Sequence, residues 1–193
     1  MKKIILLSAI VSFLALSQGQ AQTLTSGLEI GSGCPAFDPH HVSGPDKNST
    51  TCPMCKYGIR SQGLMIWVND TDLKSLEPIL TRLESEISTR GVRRFRVFVM
   101  YMNPEKKPIG EAMREASDVA SRLKLKQVAL TVIPEPNDPK SAALYRLNTT
   151  SEVRNTVFVY SKRKVVSKTI NLTGAAMNDL IRTCDELFAK DPI

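Results

Sequence analysis

The chain has 193 residues, 42% of them hydrophobic, with 26 Lys and Arg against 19 Asp and Glu for a formal net charge of +7. That length and apolar content suit one hydrophobic core and exclude a disordered tail, a collagen-like fibre and a long multidomain assembly. Four cysteines are too sparse for a disulfide-dominated mini-protein.

Lys2 and Lys3 precede an uncharged apolar run over residues 4–16 and then Ser17-Gln18-Gly19-Gln20-Ala21. A basic start, an apolar stretch of about 7–15 residues and small residues before the cut mark a signal peptide, here residues 1–21 with cleavage after Ala21. The run is well short of the roughly 20 apolar residues that a membrane span needs. An exported bacterial protein, periplasmic or secreted, is therefore expected, with no membrane span after cleavage. Removing two of the 26 basic residues leaves 24 against 19, a net +5. The remaining basic groups (Arg93-Arg94, Lys106-Lys107, Lys162-Arg163-Lys164) are scattered short runs with no aromatic inside them, which speaks against nucleic acid as a partner. Export also places the cysteines where disulfides persist.

Residues 22–61 are rich in Gly, Pro, Ser, Thr and Asp and show no sustained apolar periodicity, so they are expected to form a loop-rich N-terminal lobe. From 62 to 193 strand and helix signals alternate, as a sheet with covering helices requires. Gly63-Leu64-Met65-Ile66-Trp67-Val68 is a continuous apolar run suited to a buried central strand. After the capping cluster Asn69-Asp70-Thr71-Asp72, Leu76, Ile79, Leu80, Leu83 and Ile87 share one helix face that ends at Gly91. Pro78 requires that helix to begin near Ser75 or to kink. Phe95-Arg96-Val97-Phe98-Val99-Met100-Tyr101 predicts a second strand, 104–123 a second helix and 128–133 a third strand. A proline-rich turn at 134–139 then leads to a short helix over about 140–147. Segments 155–160 and 165–171 flank Lys162-Arg163-Lys164 as a hairpin. Thr173 is placed to cap a last helix with Met177, Leu180, Ile181, Cys184 and Phe188 on its apolar face.

This order, ending in a hairpin and a C-terminal helix, resembles the thioredoxin-like superfamily over about residues 31–190. Within it, the prelude Ile30-Gly31-Ser32-Gly33-Cys34-Pro35-Ala36-Phe37 and the segment Arg154-Asn155-Thr156-Val157-Phe158-Val159 look like parts of peroxiredoxin-type redoxin domains. The resemblance implies an α/β, three-layer fold: a central mixed sheet, helices on both faces and a loop-rich N-terminal extension. It implies thiol-disulfide oxidoreductase activity on thiol or disulfide protein substrates, with no cofactor.

The chemistry would lie in Cys52-Pro53-Met54-Cys55. Two residues on a turn bring the sulfurs within bridging distance, and a first cysteine at a helix start has its thiolate favoured by backbone N–H groups. Pro53 suits the first helical position and Lys56 adds a positive charge. Cys52 is then the expected attacking thiol and Cys55 the resolving one. The motif stands before the first strong strand, whereas the family's Cys-x-x-Cys follows it; here that place reads Asn69-Asp70-Thr71-Asp72. Pro45, Ser49 and Cys52 also fall at the spacing of the peroxiredoxin Pro-x-x-x-Thr-x-x-Cys signature, with Ser49 for threonine and Arg154 as the matching arginine. The alternative is a non-catalytic module. Its disulfides would be structural, in a pairing of Cys34, Cys52, Cys55 and Cys184 that sequence does not choose, or Cys52 and Cys55 would hold Zn(II) or Cu(I) with His40 or His41, with Cys34 and the Met54 thioether as further candidate ligands. His40 and His41 are otherwise expected to be solvated loop residues, and Cys184 an inert buried thiol.

Overall fold

Every residue of the strand Gln62–Val68 (β2) is buried, because it runs through the middle of the sheet with a neighbour on each side. The computed structural model describes residues 24–91, 95–136 and 138–193. The expected signal segment, the pair Arg93-Arg94 and Asn137 lie outside the described residues. Phe95–Tyr101 (β3) pairs parallel to β2, and Asn155–Ser161 (β5) pairs antiparallel to it. Ala129–Val132 (β4) lies parallel to β3, and Lys164–Ile170 (β6) closes the hairpin with β5. The hairpin turns tightly because Lys162 and Arg163 both take the left-handed conformation, with φ of 49° and 65°.

One strand falls within the region expected to be loop. His40–His41 (β1) pairs antiparallel with β4 at the sheet edge, giving the order β1-β4-β3-β2-β5-β6. Two residues are too few to leave a period-2 signal in sequence.

Alternation sorts the strand residues onto two faces. Leu64, Ile66, Val97, Val99, Leu130 and Val157 meet the apolar stripes of Glu77–Arg90 (α2), Ile109–Arg122 (α3) and Met177–Lys190 (α5). Met65, Trp67, Phe98, Met100, Phe158 and Tyr160 meet instead the N-terminal lobe and the segment around Pro139–Leu144 (α4), whose C-cap Tyr145 is fully buried. The lobe is strapped down by backbone bonds. Gly31 N–H donates to the Val165 carbonyl at 2.8 Å, and Cys34 N–H donates to that of Arg163 at 2.9 Å. Phe37 then inserts its ring 5.0 Å from Trp67 and edge-on to Tyr145 at 5.7 Å.

Three helix starts differ from expectation. A 3-10 turn over Leu73–Leu76 comes before α2, so Pro78 falls in the first turn of a helix that does not have to kink. The helix expected from 104 begins at Ile109, because an interior Pro108 would remove a hydrogen bond and its ring would clash. Asn103 builds the intervening turn, accepting from Lys107 N–H and donating to its carbonyl. Thr173 stands at the N-cap of a 3-10 turn, Gly174–Ala176, but makes no side-chain cap bond.

Candidate functional site

Cys52 has extended backbone, and its sulfur accepts the Cys55 N–H at 3.1 Å, the geometry of an N-cap. Pro53 at the first position has no N–H to leave unpaired. The chain therefore makes one helical turn, Pro53–Lys56 (α1), closed by Lys56 N–H to the Cys52 carbonyl and Tyr57 N–H to that of Pro53. This turn brings the two Cα atoms to 5.3 Å, and Cys52 and Cys55 form a disulfide. Cys34 and Cys184 are free and buried, which settles the pairing that sequence left open. Burial pushes the thiols of Cys34 and Cys184 up to about 12, against a smaller opposing effect of Arg163 on the first and Arg90 on the second. Both are poor nucleophiles.

Met54 anchors the turn, fully buried in the loop-covered core beside Cys52. Tyr57 stacks on Phe98 of β3 at 6.1 Å and 19°, and the Arg96 guanidinium lies 3.7 Å from the centre of the Tyr57 ring. The motif thus lies across the sheet face over β3. It does not stand at the C-terminal end of β2, where the thioredoxin pattern would put it. That end is occupied by the Asn69 turn, whose amide donates to the carbonyls of Thr150 and Val153.

The segment leading into Cys52 is held by residues whose part sequence did not foretell. His41 is 1% exposed, not solvated. Its Nε2 lies 2.8 Å from the Thr51 carbonyl, which can only accept, so Nε2 carries the hydrogen and Nδ1 keeps a buried, unpartnered lone pair. Burial is the chief reason its pKa is lowered, and Lys56 adds to that, against the Thr51 bond and Asp46. Asp46 is buried and carries an ion pair with Lys56 at 2.5 Å. Burial would raise its pKa, but hydrogen bonds from Lys56 and Tyr57 outweigh that and hold it below the usual carboxylate value. Gly44 lets this loop touch the sheet: φ is +82°, and a Cβ there would lie 2.8 Å from Ala129 Cα. Within a segment read from sequence only as loop-rich, nothing distinguishes a buried Asp46 from a solvated loop residue.

The other candidates are not assembled. Ser49 Oγ donates to the Asp46 carbonyl and accepts from the Thr51 hydroxyl, while the Arg154 backbone is bound to Asn69 and Asn171 beyond the C-terminal end of β2. The partial peroxiredoxin signature is therefore split between two places. Among the described residues no group of three or more His, Cys, Asp and Glu side chains is placed to hold a metal ion, and the two CPMC sulfurs are committed to each other.

No family model matches the chain, and no curated protein matches it. Solved structures do. A yeast mitochondrial 1-Cys peroxiredoxin aligns with TM-score 0.58 and 15% identity, over 85% of this chain and 79% of that one. A putative thiol:disulfide interchange protein DsbE from Chlorobium tepidum aligns with TM-score 0.56 and 15% identity, over 81% and 98%. A peroxiredoxin-like protein from Aquifex aeolicus gives 0.57 and 12%, over 83% and 88%. At these identities the likeness establishes the fold: the chain is a thioredoxin-like α/β protein with a mixed central sheet and a disulfide-bonded Cys-x-x-Cys on one face.

Proposed function

We propose that the protein is an exported thiol-disulfide exchange protein whose Cys52–Cys55 pair cycles between disulfide and dithiol, with thiol or disulfide proteins as substrates. The observation that carries this is a disulfide that closes a turn of sequence separation 3 at the surface of a packed sheet face. A loop of about four residues gains only about 2 kcal/mol from cross-linking by the chain-entropy argument. Stapling is thus a weak reason for the bond, and exchange chemistry a better one. Structures of similar fold include proteins described as thiol-disulfide oxidoreductases, which supports the same assignment. Location in the periplasm or outside the cell rests on the signal-like segment of residues 1–21. Among the described residues no helix is long and apolar enough to cross a membrane.

A disulfide reductase assay on the mature protein and on Cys52→Ser tests the proposal. Activity of the wild type well above the variant is expected; equal activity would overturn it. The second reading, a non-catalytic thioredoxin-like module with a structural disulfide, is favoured by one observation. The turn Asn69-Asp70-Thr71-Asp72, where the fold usually carries its redox residues, is filled with internal hydrogen bonds.

A further inference from the structure

The two halves of the disulfide differ in exposure. Cys52 is 9% exposed and packs in the loop-covered core with Cys34, Met54 and Met65. Cys55, three residues on, is solvent-exposed and has no place in that core. Thiol-disulfide exchange is a displacement in which the incoming thiolate must reach one sulfur on the side opposite its bonded partner, so access decides which sulfur is attacked. Approach to Cys52 would displace core packing, whereas Cys55 stands open.

On the exchange reading given above, we infer that Cys55 is the sulfur that exchanges with the substrate and that Cys52 is the internal leaving and resolving thiol. This reverses the order expected from the motif alone. In the oxidising direction, one thiolate of a substrate dithiol attacks Cys55 Sγ. A substrate-S–Cys55 bond forms, the Cys52–Cys55 bond breaks, and its electron pair goes to Cys52, which leaves as thiolate and takes a proton from solvent. The second substrate thiolate then attacks the first substrate sulfur and expels Cys55 as thiolate. The substrate is oxidised to its disulfide, and the protein is reduced by two electrons to the dithiol. The reverse sequence reduces a substrate disulfide, with Cys55 attacking and Cys52 resolving.

The geometry suits Cys52 to the leaving role. The Cys55 N–H that its sulfur accepts at 3.1 Å becomes a charge-assisted bond once the sulfur is an anion, and a stabilised thiolate leaves faster. Lys56 is not free to take that part, since its ammonium is paired with Asp46.

The test uses the reduced wild-type mature protein, pulsed with limiting iodoacetamide and mapped by mass spectrometry, together with trapping of oxidised insulin by single-cysteine variants. Cys55 is expected to alkylate at least about tenfold faster than Cys52. Cys52→Ser is expected to accumulate a mixed disulfide with insulin through Cys55, and Cys55→Ser to accumulate far less. Alkylation of Cys52 as fast or faster, or trapping through Cys52 in Cys55→Ser, overturns the assignment. Wild-type insulin reduction is followed in parallel. Turnover with the roles reversed overturns the assignment alone, while no turnover above the uncatalysed rate removes the exchange reading and the assignment with it. The alkylation order needs no variant, so misfolding of either serine variant does not protect the inference.

Discussion

On one face of the sheet α2, α3 and α5 lay continuous apolar stripes over Leu64, Ile66, Val97 and Val99; on the other, Met65, Trp67, Phe98 and Phe158 are covered mostly by loop residues, Leu28, Phe37, Cys52 and Met54. Both cores are tightly buried, but they are built differently. Helices satisfy most of their own backbone, so the helix-covered face is built chiefly from side-chain packing, with the Glu84 carboxylate taking the N–H groups of Lys126, Gln127 and Val128 at its margin. Loops have to find partners for each buried N–H and C=O, and that requirement brings in polar groups: His41 under Thr51, Asp46 beside Lys56, and, at the sheet edge, the Ser43 hydroxyl between the Val128 carbonyl and the Leu130 N–H. The disulfide belongs to this second kind of surface. A short turn pinned over β3 by Met54 and Tyr57 can present one sulfur outward without opening a helix-packed core.

If the loop-covered face is a true core, cutting into it should cost as much as cutting into the helix-covered one. Phe37→Ala, which removes the ring packed against both Trp67 and Tyr145, is expected to lose about 3–5 kcal/mol in urea unfolding, comparable to about 2–5 for Leu83→Ala in α2. A Phe37→Ala loss below about 1 kcal/mol, the scale of an average substitution, would reduce the lobe to a veneer. Gly44→Val comes next. It forces a β-branched residue to φ +82° with a Cβ 2.8 Å from Ala129 Cα, and about 1–3 kcal/mol of strain is expected. A thermal midpoint equal to wild type would show that the loop can lift off the sheet freely.

The same contrast explains what sequence reveals. The helix-covered face is legible: Ile79, Leu80, Leu83 and Ile87 repeat at helical spacing, 63–68 is a continuous apolar run, and with the order of the elements they point to the thioredoxin-like fold. On the loop-covered face the burying residues, Leu28, Phe37, Met54 and Tyr145, obey no period, because each is set by where a turn happens to cross the sheet. Of the candidate site, the Cys52–Cys55 pair could be read from spacing, since two intervening residues on one helical turn bring the sulfurs together. Which cysteine faces solvent could not, because that depends on how the turn sits over β3, a contact with residues more than forty positions away. The burial of His41 is hidden from sequence for the same reason: it comes from pairing with β4, ninety residues on.

Reducing the disulfide separates a staple from an exchanging bond. With Met54 and Tyr57 still packed, the dithiol form is expected to stay folded and to lose no more than about 2 kcal/mol relative to the oxidised form, measured by urea unfolding with and without reductant. Collapse of the fold on reduction would favour a structural disulfide.

The smallest expected effect is on pH, and it reads the loop-covered face directly. His41 holds its proton on Nε2 against the Thr51 carbonyl, and protonating buried Nδ1 would add a charge and an N–H with no acceptor. Of the charged groups facing it, Asp46 favours that charge and Lys56 opposes it; burial decides the direction, so the folded pKa lies below the ordinary 6.5. As pH falls, the unfolded chain therefore binds this proton before the folded one does. The contribution of His41 to stability is complete above about 6.5 and is lost as pH drops through the lower folded value. Asp46 acts in a separate window. Its folded pKa is also depressed, so its contribution is present above the ordinary carboxylate value of about 3.9 and is lost only as pH falls through its own folded value. Urea midpoints measured against pH should accordingly show a mild loss beginning near neutrality that His41→Gln removes, and a second, more acidic loss that Asp46→Asn removes. A midpoint indifferent to His41→Gln across the first window would mean that His41 reaches water when it titrates, and that the loop over this face opens far more readily than the helices over the other.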